Sequence, residues 1–193
     1  MLLNRLIKID TERLLIRVVA PCDLPALLEI NSKDEITRYV PYKTWVTTAD
    51  SVAWLERMEK LQAAGGVVQM VIVERQSQQV IGACLLFAYD EASSRAEIGY
   101  VLGRPYWGQG LMIEAIDAVV KFGFEQLGLR RLEATVDPRN AASLKLIERL
   151  GFSNEGTRRQ RVLMKGMLVD QRLYGLLQDE WRVTRHRAPG ATV

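Results

Sequence analysis

Apolar and polar positions alternate with two different periods along this chain, and each change of period marks an element. Residues 11–19, TERLLIRVV, are β-branched and apolar and stop before Pro21, which predicts a first strand. DLPALLEINS spaces its apolar residues three and four apart, as does the shorter DEITRYV before Pro41, so both predict helices. TTADSVAWLERMEKLQAAGG is the most complete helical signal of the first half. Thr47 and Thr48 are candidate N-caps, Asp50 falls in the first turn, and Gly65 with Gly66 ends the helix. Two apolar runs follow, GVVQMVIVER and QQVIGACLLFAY, joined by polar residues in the manner of an antiparallel hairpin.

SSRAEIGYVL predicts a strand with two distinct faces, Ala96, Ile98, Tyr100 and Leu102 against Glu97, Gly99 and Val101. A glycine loop and a long helix ending near Gly128 come next. LRRLEATVD is then a strand stopped by Pro138, and NAASLKLIERLGF a short helix running from Asn140 to Gly151. Two last strands flank MKGM, whose Lys-Gly pair suits a tight turn. TRHRAPGATV predicts a disordered tail over residues 184–193, which makes His186 a poor catalyst. This order of elements, without repeat or linker, predicts one mixed α/β domain over residues 1–183.

Composition narrows the functional classes. The 193 residues suffice for one domain with a sizeable core. No run approaches the roughly 18 apolar residues of a membrane span, and Arg5, Lys8 and Asp10 interrupt the apolar N-terminus. The expectation is a soluble cytoplasmic protein with no membrane partner. Cys22 and Cys84 support neither a disulfide framework nor a metal cluster, so no metal is expected, and Cys84 within VIGACLLF reads as a buried thiol. A net charge of +3 is too small to announce nucleic-acid binding. From Arg158 to Arg187, however, eight Lys or Arg face three acids, either as a solvated face or as a surface for an anionic ligand.

The loop RPYWGQGLMIEA, residues 104–115, carries the first candidate chemistry. A strand ending in a glycine turn that opens directly into a helix aims backbone N–H groups and the helix dipole at one point, which favours an anion. Gly108 and Gly110 allow close approach of the main chain. The loop lacks the Lys-Ser/Thr ending of a nucleotide-triphosphate loop and has Ile113 where a dinucleotide fingerprint needs a third glycine. On its own it is either a phosphate cradle or a plain helix start.

Taken together, EIGYVLGRPYWGQGLMIEAI, RLEATVDPRNAASLKLIERLGF and DQRLYGLLQDEW resemble the GNAT acetyltransferase superfamily, and within it the Rim-type branch that acetylates ribosomal-protein N-termini. The resemblance covers roughly residues 10–182. The superfamily motif Gln/Arg-x-x-Gly-x-Gly/Ala falls on Trp107 to Met112, with Gly110 kept, Trp107 in place of Gln/Arg and Met112 in place of Gly/Ala. The resemblance implies a mixed, mostly antiparallel sheet with a central parallel strand pair, residues 96–102 and 131–137, that splays to admit acetyl-coenzyme A. It also implies that main-chain groups near Val101 and Leu102 pair with the pantetheine arm. The amides of Trp107, Gly108, Gln109, Gly110, Leu111 and Met112 would hold the pyrophosphate. Asn140 would bind the arm, with Ser143 one turn away on the same face; Asn140 also reads as a bare helix cap.

Direct acetyl transfer to an amine needs a proton acceptor, donors for the oxyanion and a partner for the leaving thiolate. Glu97 and Glu133, one on each central strand, are the candidate bases beside ordered water, and an N–H near Leu102 is the candidate oxyanion donor. Ser143 matches the position some Rim-type enzymes use for the thiolate. The tyrosine that other members carry further along that helix has no counterpart, since Leu146 and Ile147 stand there. A carboxylate of one Rim-type relative falls on Val162. VPYKTW, with Tyr42 and Trp45, either lines the acceptor pocket or packs on the core. Three acceptor readings follow: a protein N-terminal α-amine, a small amine such as a polyamine, amino sugar or amino acid, or none at all in a silent acyl-coenzyme A-binding module.

Overall fold

The computed structural model describes residues 7–186. Its strands are β1 (Lys8–Asp10), β2 (Leu14–Val18), β3 (Val67–Glu74), β4 (Val80–Asp90), β5 (Arg95–Leu102), β6 (Arg131–Val136), β7 (Ser153–Met164) and β8 (Met167–Leu177). The helices are α1 (Leu24–Asn31), α2 (Asp34–Thr37), α3 (Thr48–Ala63), α4 (Leu111–Glu125), α5 (Ala141–Arg149) and α6 (Gln178–His186). All eight strands form one sheet in the order β1-β2-β3-β4-β5-β6-β8-β7. Only β5 and β6 run parallel; every other neighbour is antiparallel. The mixed α/β architecture expected from the sequence is the one observed.

Local chemistry accounts for most of the boundaries. Asp50 accepts hydrogen bonds from the backbone N–H groups of Val46 (2.9 Å) and Thr47 (2.8 Å), which starts α3. Lys165 (φ 49°) and Gly166 (φ 83°) both turn left-handed, as the tight β7–β8 turn requires. β3 is buried along nearly its whole length because both its faces are covered, and it therefore reads as a continuous apolar run rather than an alternation.

Helix α4 lays Ile116, Val119, Val120 and Phe124, all within 1% of full burial, on the sheet face that carries Ile98, Leu132 and Tyr174. Each such side chain contributes roughly 1.5–3 kcal/mol. On the opposite face a smaller cluster of Leu27, Trp45, Val71, Val73 and Ala83 forms beneath α1 and α3. The sheet thus has two unequal sides, one filled and one partly open.

Two elements lie outside the expected pattern. β1 is three residues long and carries Lys8 and Asp10, so it shows no alternation of its own; pairing with β2 defines it. α6 continues the chain through His186, three residues into the segment expected as a tail, and residues 187–193 lie outside those described. Glu180 accepts the Leu177 N–H (3.0 Å), and Trp181 packs on Phe124 with ring centroids 5.4 Å apart. That tertiary contact holds the short helix in place.

Candidate active site

β5 and β6 share a register only from Arg95↔Arg131 to Glu97↔Glu133, whereas β6 stays paired with β8 along its length, from Arg131↔Leu177 to Val136↔Arg172. Beyond Glu97 the two parallel strands separate and leave a wedge. The wedge opens into a cavity of about 1490 Å³, well above the 300–1,000 Å³ of an ordinary small-ligand pocket and roomy enough for two reactants.

The sheet register decides which main-chain groups face the wedge. Gly103 donates its N–H to Ile81 O (2.8 Å), which makes that opposed pair hydrogen-bonded and, by alternation, Val101 with Ala83 as well. On the other edge Arg130 donates to Ser94 O (2.7 Å), so even-numbered residues of this stretch turn their main chain toward β6. The main-chain groups of Tyr100 and Leu102 therefore face the wedge, and those of Val101 face β4. This corrects the expectation for Val101, which meets the cavity through its side chain. The strands come this close because Gly82 lies opposite Leu102: a Cβ there would stand 2.5 Å from the Val101 carbonyl oxygen.

At the wide end, Gly108 (φ 75°) and Gly110 (φ 74°) hold the left-handed turns that bring the loop into α4, with Gly110 as its N-cap. The first helical bond runs from Glu114 N–H to Gly110 O (3.1 Å), so the N–H groups of Leu111, Met112 and Ile113 have no acceptor within the helix. Arg13 braces the turn. Its Nη1 donates to Gln109 O (2.9 Å) and its Nε to Glu114 (2.6 Å), and Glu114 also accepts from Thr11 Oγ1 (2.6 Å). Trp107, half-exposed, donates its indole N–H to Leu102 O (2.8 Å) with the Arg104 guanidinium 4.7 Å from its ring centroid. Met112 lines the cavity wall. Arg13 and Glu114 were absent from the sequence reading because about a hundred positions separate them.

The two candidate carboxylates have different surroundings. Glu133 is gripped by Arg95 (2.9 Å) and Arg131 (2.8 Å), and it is not part of the cavity wall. Glu97 is half-buried and lines the cavity on the side of Gly99 and Val101. Burial pushes its carboxyl above the ordinary carboxylate range; the Thr135 hydroxyl and N–H and the Arg158 charge pull the other way, while Glu133 adds to the rise. A carboxylate so placed is a candidate proton acceptor.

Asn140 caps α5 by accepting the Ser143 N–H (3.1 Å), and both residues line the cavity. Ser143 Oγ is also 2.7 Å from the Tyr100 hydroxyl. Burial pushes Tyr100 up to about 12, with the Ser143 hydrogen bond opposing, so it keeps its proton at neutral pH. β5 thus brings a phenolic hydroxyl to Ser143, where α5 itself carries none at Leu146 or Ile147. The alternation along β5 put Tyr100 on the face opposite Glu97, but only the packing brings it to Ser143.

On the open side, Tyr42 and Trp45 both line the cavity and pack on the core. Tyr42 donates to Asn31 Oδ1 (2.9 Å), and Trp45 packs against Trp54 with ring centroids 5.3 Å apart and the rings tilted by 55°. Cys84 is fully buried, and burial pushes its thiol up to about 12, which removes it from any nucleophilic role. Among the described residues no helix is long and apolar enough to cross a membrane.

Residues 13–153 match the acetyltransferase (GNAT) domain family. The uncharacterized N-acetyltransferase p20 of Bacillus licheniformis is 34% identical over 171 residues, covering 89% of this chain and 96% of that protein. The ribosomal protein uS5-alanine N-acetyltransferase of Escherichia coli is 25% identical over 184 residues, covering 91% of this chain and 93% of its own. The crystal structure of a GNAT-family acetyltransferase from Bacillus anthracis superposes with a TM-score of 0.80 at 25% identity, covering 90% of this chain and 99% of that one.

Proposed function

This chain belongs to the GNAT acetyltransferase family and is an acetyl-coenzyme A-dependent N-acetyltransferase; from that premise we propose that its acceptor is the α-amine of a protein N-terminus. The observation that carries the reading is the wedge itself, with an anion cradle at one end and a half-buried carboxylate at the other. Similarity to the uS5-alanine enzyme along most of the chain supports the peptide acceptor.

In this proposal the pyrophosphate rests on the N–H groups at the start of α4, which Arg13 and Glu114 hold in position. The pantetheine arm runs along β5 as an added strand, using the main chain of Tyr100 and Leu102, with Asn140 and Ser143 on the facing helix. The neutral amine attacks the thioester carbonyl carbon, and the oxyanion takes a hydrogen bond from a wedge-facing N–H of β5 that lies nearer Glu97 than Leu102 does, such as that of Tyr100. Glu97, directly or through water, accepts the amine proton. The C–S bond then breaks, and the thiolate leaves against the Ser143–Tyr100 hydroxyl pair, one of whose protons is free to point at sulfur. Glu133 keeps a positioning role, tying β5 to β6 through its two arginines at the point where they part.

The test records free thiol released from acetyl-coenzyme A in the presence of N-terminal peptides, spermidine, glucosamine and free amino acids. Release with peptides and not with the small amines is the expected result. Release only with a small amine, or with none of these acceptors, would overturn the peptide acceptor.

A further inference from the structure

Of the arginines that line the cavity, Arg38 is paired with Asp34, Arg104 with Glu35 and Arg139 with Asp137. Among the described residues, Arg57, Arg158 and Arg161 have no carboxylate within ion-pairing distance. Arg158 and Arg161 are three apart on β7, and in a regular strand they would point to opposite faces. They reach the cavity together because β7 is bulged. Arg158 lies opposite Gln171 and Val162 opposite Val169, so residues 159–161 stand against the single residue Asp170. Asp170 accepts the Gln160 N–H (2.8 Å), and Gln160 takes a left-handed φ of 48°, a conformation few non-glycine residues adopt. Both flanking arginines line the cavity, and Arg159 between them does not. Bulges beside active sites re-aim side chains in this way.

These arginines belong to the acceptor end. The Arg158 charge acts on Glu97. Five residues of β5, roughly 17 Å at 3.3 Å each, separate Glu97 from Leu102, where the chain turns toward the cradle. Of the acidic groups of the cavity, Glu35 and Asp137 are paired with arginines, while Asp170, which accepts the bulge N–H, and Glu97 keep their charge against Arg57, Arg158 and Arg161. A polycation entering here meets an excess of positive charge, three arginines against two carboxylates without an ion pair. A carboxylate meets two guanidinium forks, each able to bind it with paired N–H donors.

We propose that Arg158 and Arg161 form a carboxylate-recognition site for the acceptor, so that the enzyme selects peptide N-termini with an acidic residue in their first few positions. The proposal rests on the peptide-acceptor reading above, and the test separates the two. Matched hexapeptides beginning with alanine and carrying Asp, Gln or Lys at positions 2–4 are compared by thiol release from acetyl-coenzyme A. Their binding to the coenzyme A-loaded protein is compared by calorimetry. The Asp peptide should be preferred over the Gln peptide by at least about tenfold in kcat/KM, as loss of a charge-assisted hydrogen bond implies. In the Arg158→Gln/Arg161→Gln protein that preference should collapse through the KM of the Asp peptide, with the KM for acetyl-coenzyme A moved less than about twofold. Arg158→Lys/Arg161→Lys should restore part of it, which a misfolded site would not. Equal turnover or equal binding of the three peptides overturns the carboxylate site and leaves the peptide acceptor standing. Acetylation of free aspartate but of no peptide, sensitive to the same Gln variants, upholds carboxylate recognition and overturns the peptide acceptor. Acetylation of spermidine in preference to every peptide overturns both.

Discussion

Replacing Glu97 with Gln keeps the side chain's size and removes its capacity to accept a proton. A positioned general base contributes about 10²–10⁴-fold, so kcat at saturating acetyl-coenzyme A should fall at least about a hundredfold at pH 7. Acidification should lower the wild-type rate through two groups, the amine and the Glu97 carboxyl, whose pKa burial raises above the ordinary glutamate value of about 4.3; the variant should keep only the limb set by the amine. Raising the pH should narrow the deficit. An α-amine with a pKa of about 7.8 is roughly one-seventh neutral at pH 7 and almost wholly neutral by pH 9, so part of the base's work is then done by the solvent. Stability supplies a second signature. A carboxyl whose folded pKa is raised contributes stability that is full below its unfolded pKa and lost as pH rises through the folded one. At pH 7 the charged Glu97 therefore costs stability, and Glu97→Gln should melt higher than wild type. That difference should vanish near pH 4, where the wild-type carboxyl is neutral. The assays are thiol release between pH 5 and 9.5 and thermal melting over the same range, extended to pH 4. A variant within about threefold of wild-type kcat at pH 7, or one that melts lower at every pH, would show that Glu97 is a structural partner and not the base.

Gly110→Asp brings a carboxylate to the start of α4, where Arg13 Nη2 lies 3.6 Å from the new Cβ. Strain at φ 74° should cost roughly 1–2 kcal/mol, or about 2–8 °C in Tm, while the Kd for acetyl-coenzyme A, read by calorimetry, rises at least about tenfold. Unchanged affinity would mean the phosphates bind elsewhere. Ser143→Ala and Tyr100→Phe each remove one member of the 2.7 Å hydroxyl pair. If the pair serves the thiolate, each should lower kcat by about tenfold or more with little change in cofactor Kd, and the double variant should lose less than the product of the two. Gly82→Ala forces a methyl to within 2.5 Å of the Val101 carbonyl, so β4 and β5 must part; destabilisation by about 1–3 kcal/mol in denaturant unfolding and weaker cofactor binding should follow together.

The hydrophobic periods of this chain were enough for most of its elements. β3, β4, β5 and α4 each bury a face or a run long enough to show in sequence, while short-range chemistry at Asp50, Asn140 and Lys165–Gly166 marks the starts of α3 and α5 and the β7–β8 turn. The glycine loop was legible as a candidate anion cradle for the same reason: strand, turn and helix start lie within a dozen consecutive residues. β1 and α6 were not legible, since each is short and owes its structure to a distant partner, β2 for one and Phe124 for the other. Within the site, the sequence alone left Glu97 and Glu133 both open as bases and favoured Glu97 only for sharing a strand face with Val101, because neither residue's partners show in one dimension. Their difference is tertiary: Arg95 and Arg131 close on Glu133, and the splay of β5 from β6 leaves Glu97 at the cavity. The same holds for Tyr100 against Ser143, for Arg13 beneath the cradle and for the arginines turned inward by the bulge. Local periodicity and turn chemistry determine elements, because their energies act between near neighbours in the chain. The site was decided by register, splay and ion pairing between segments many tens of residues apart, and those exist only once the sheet has formed.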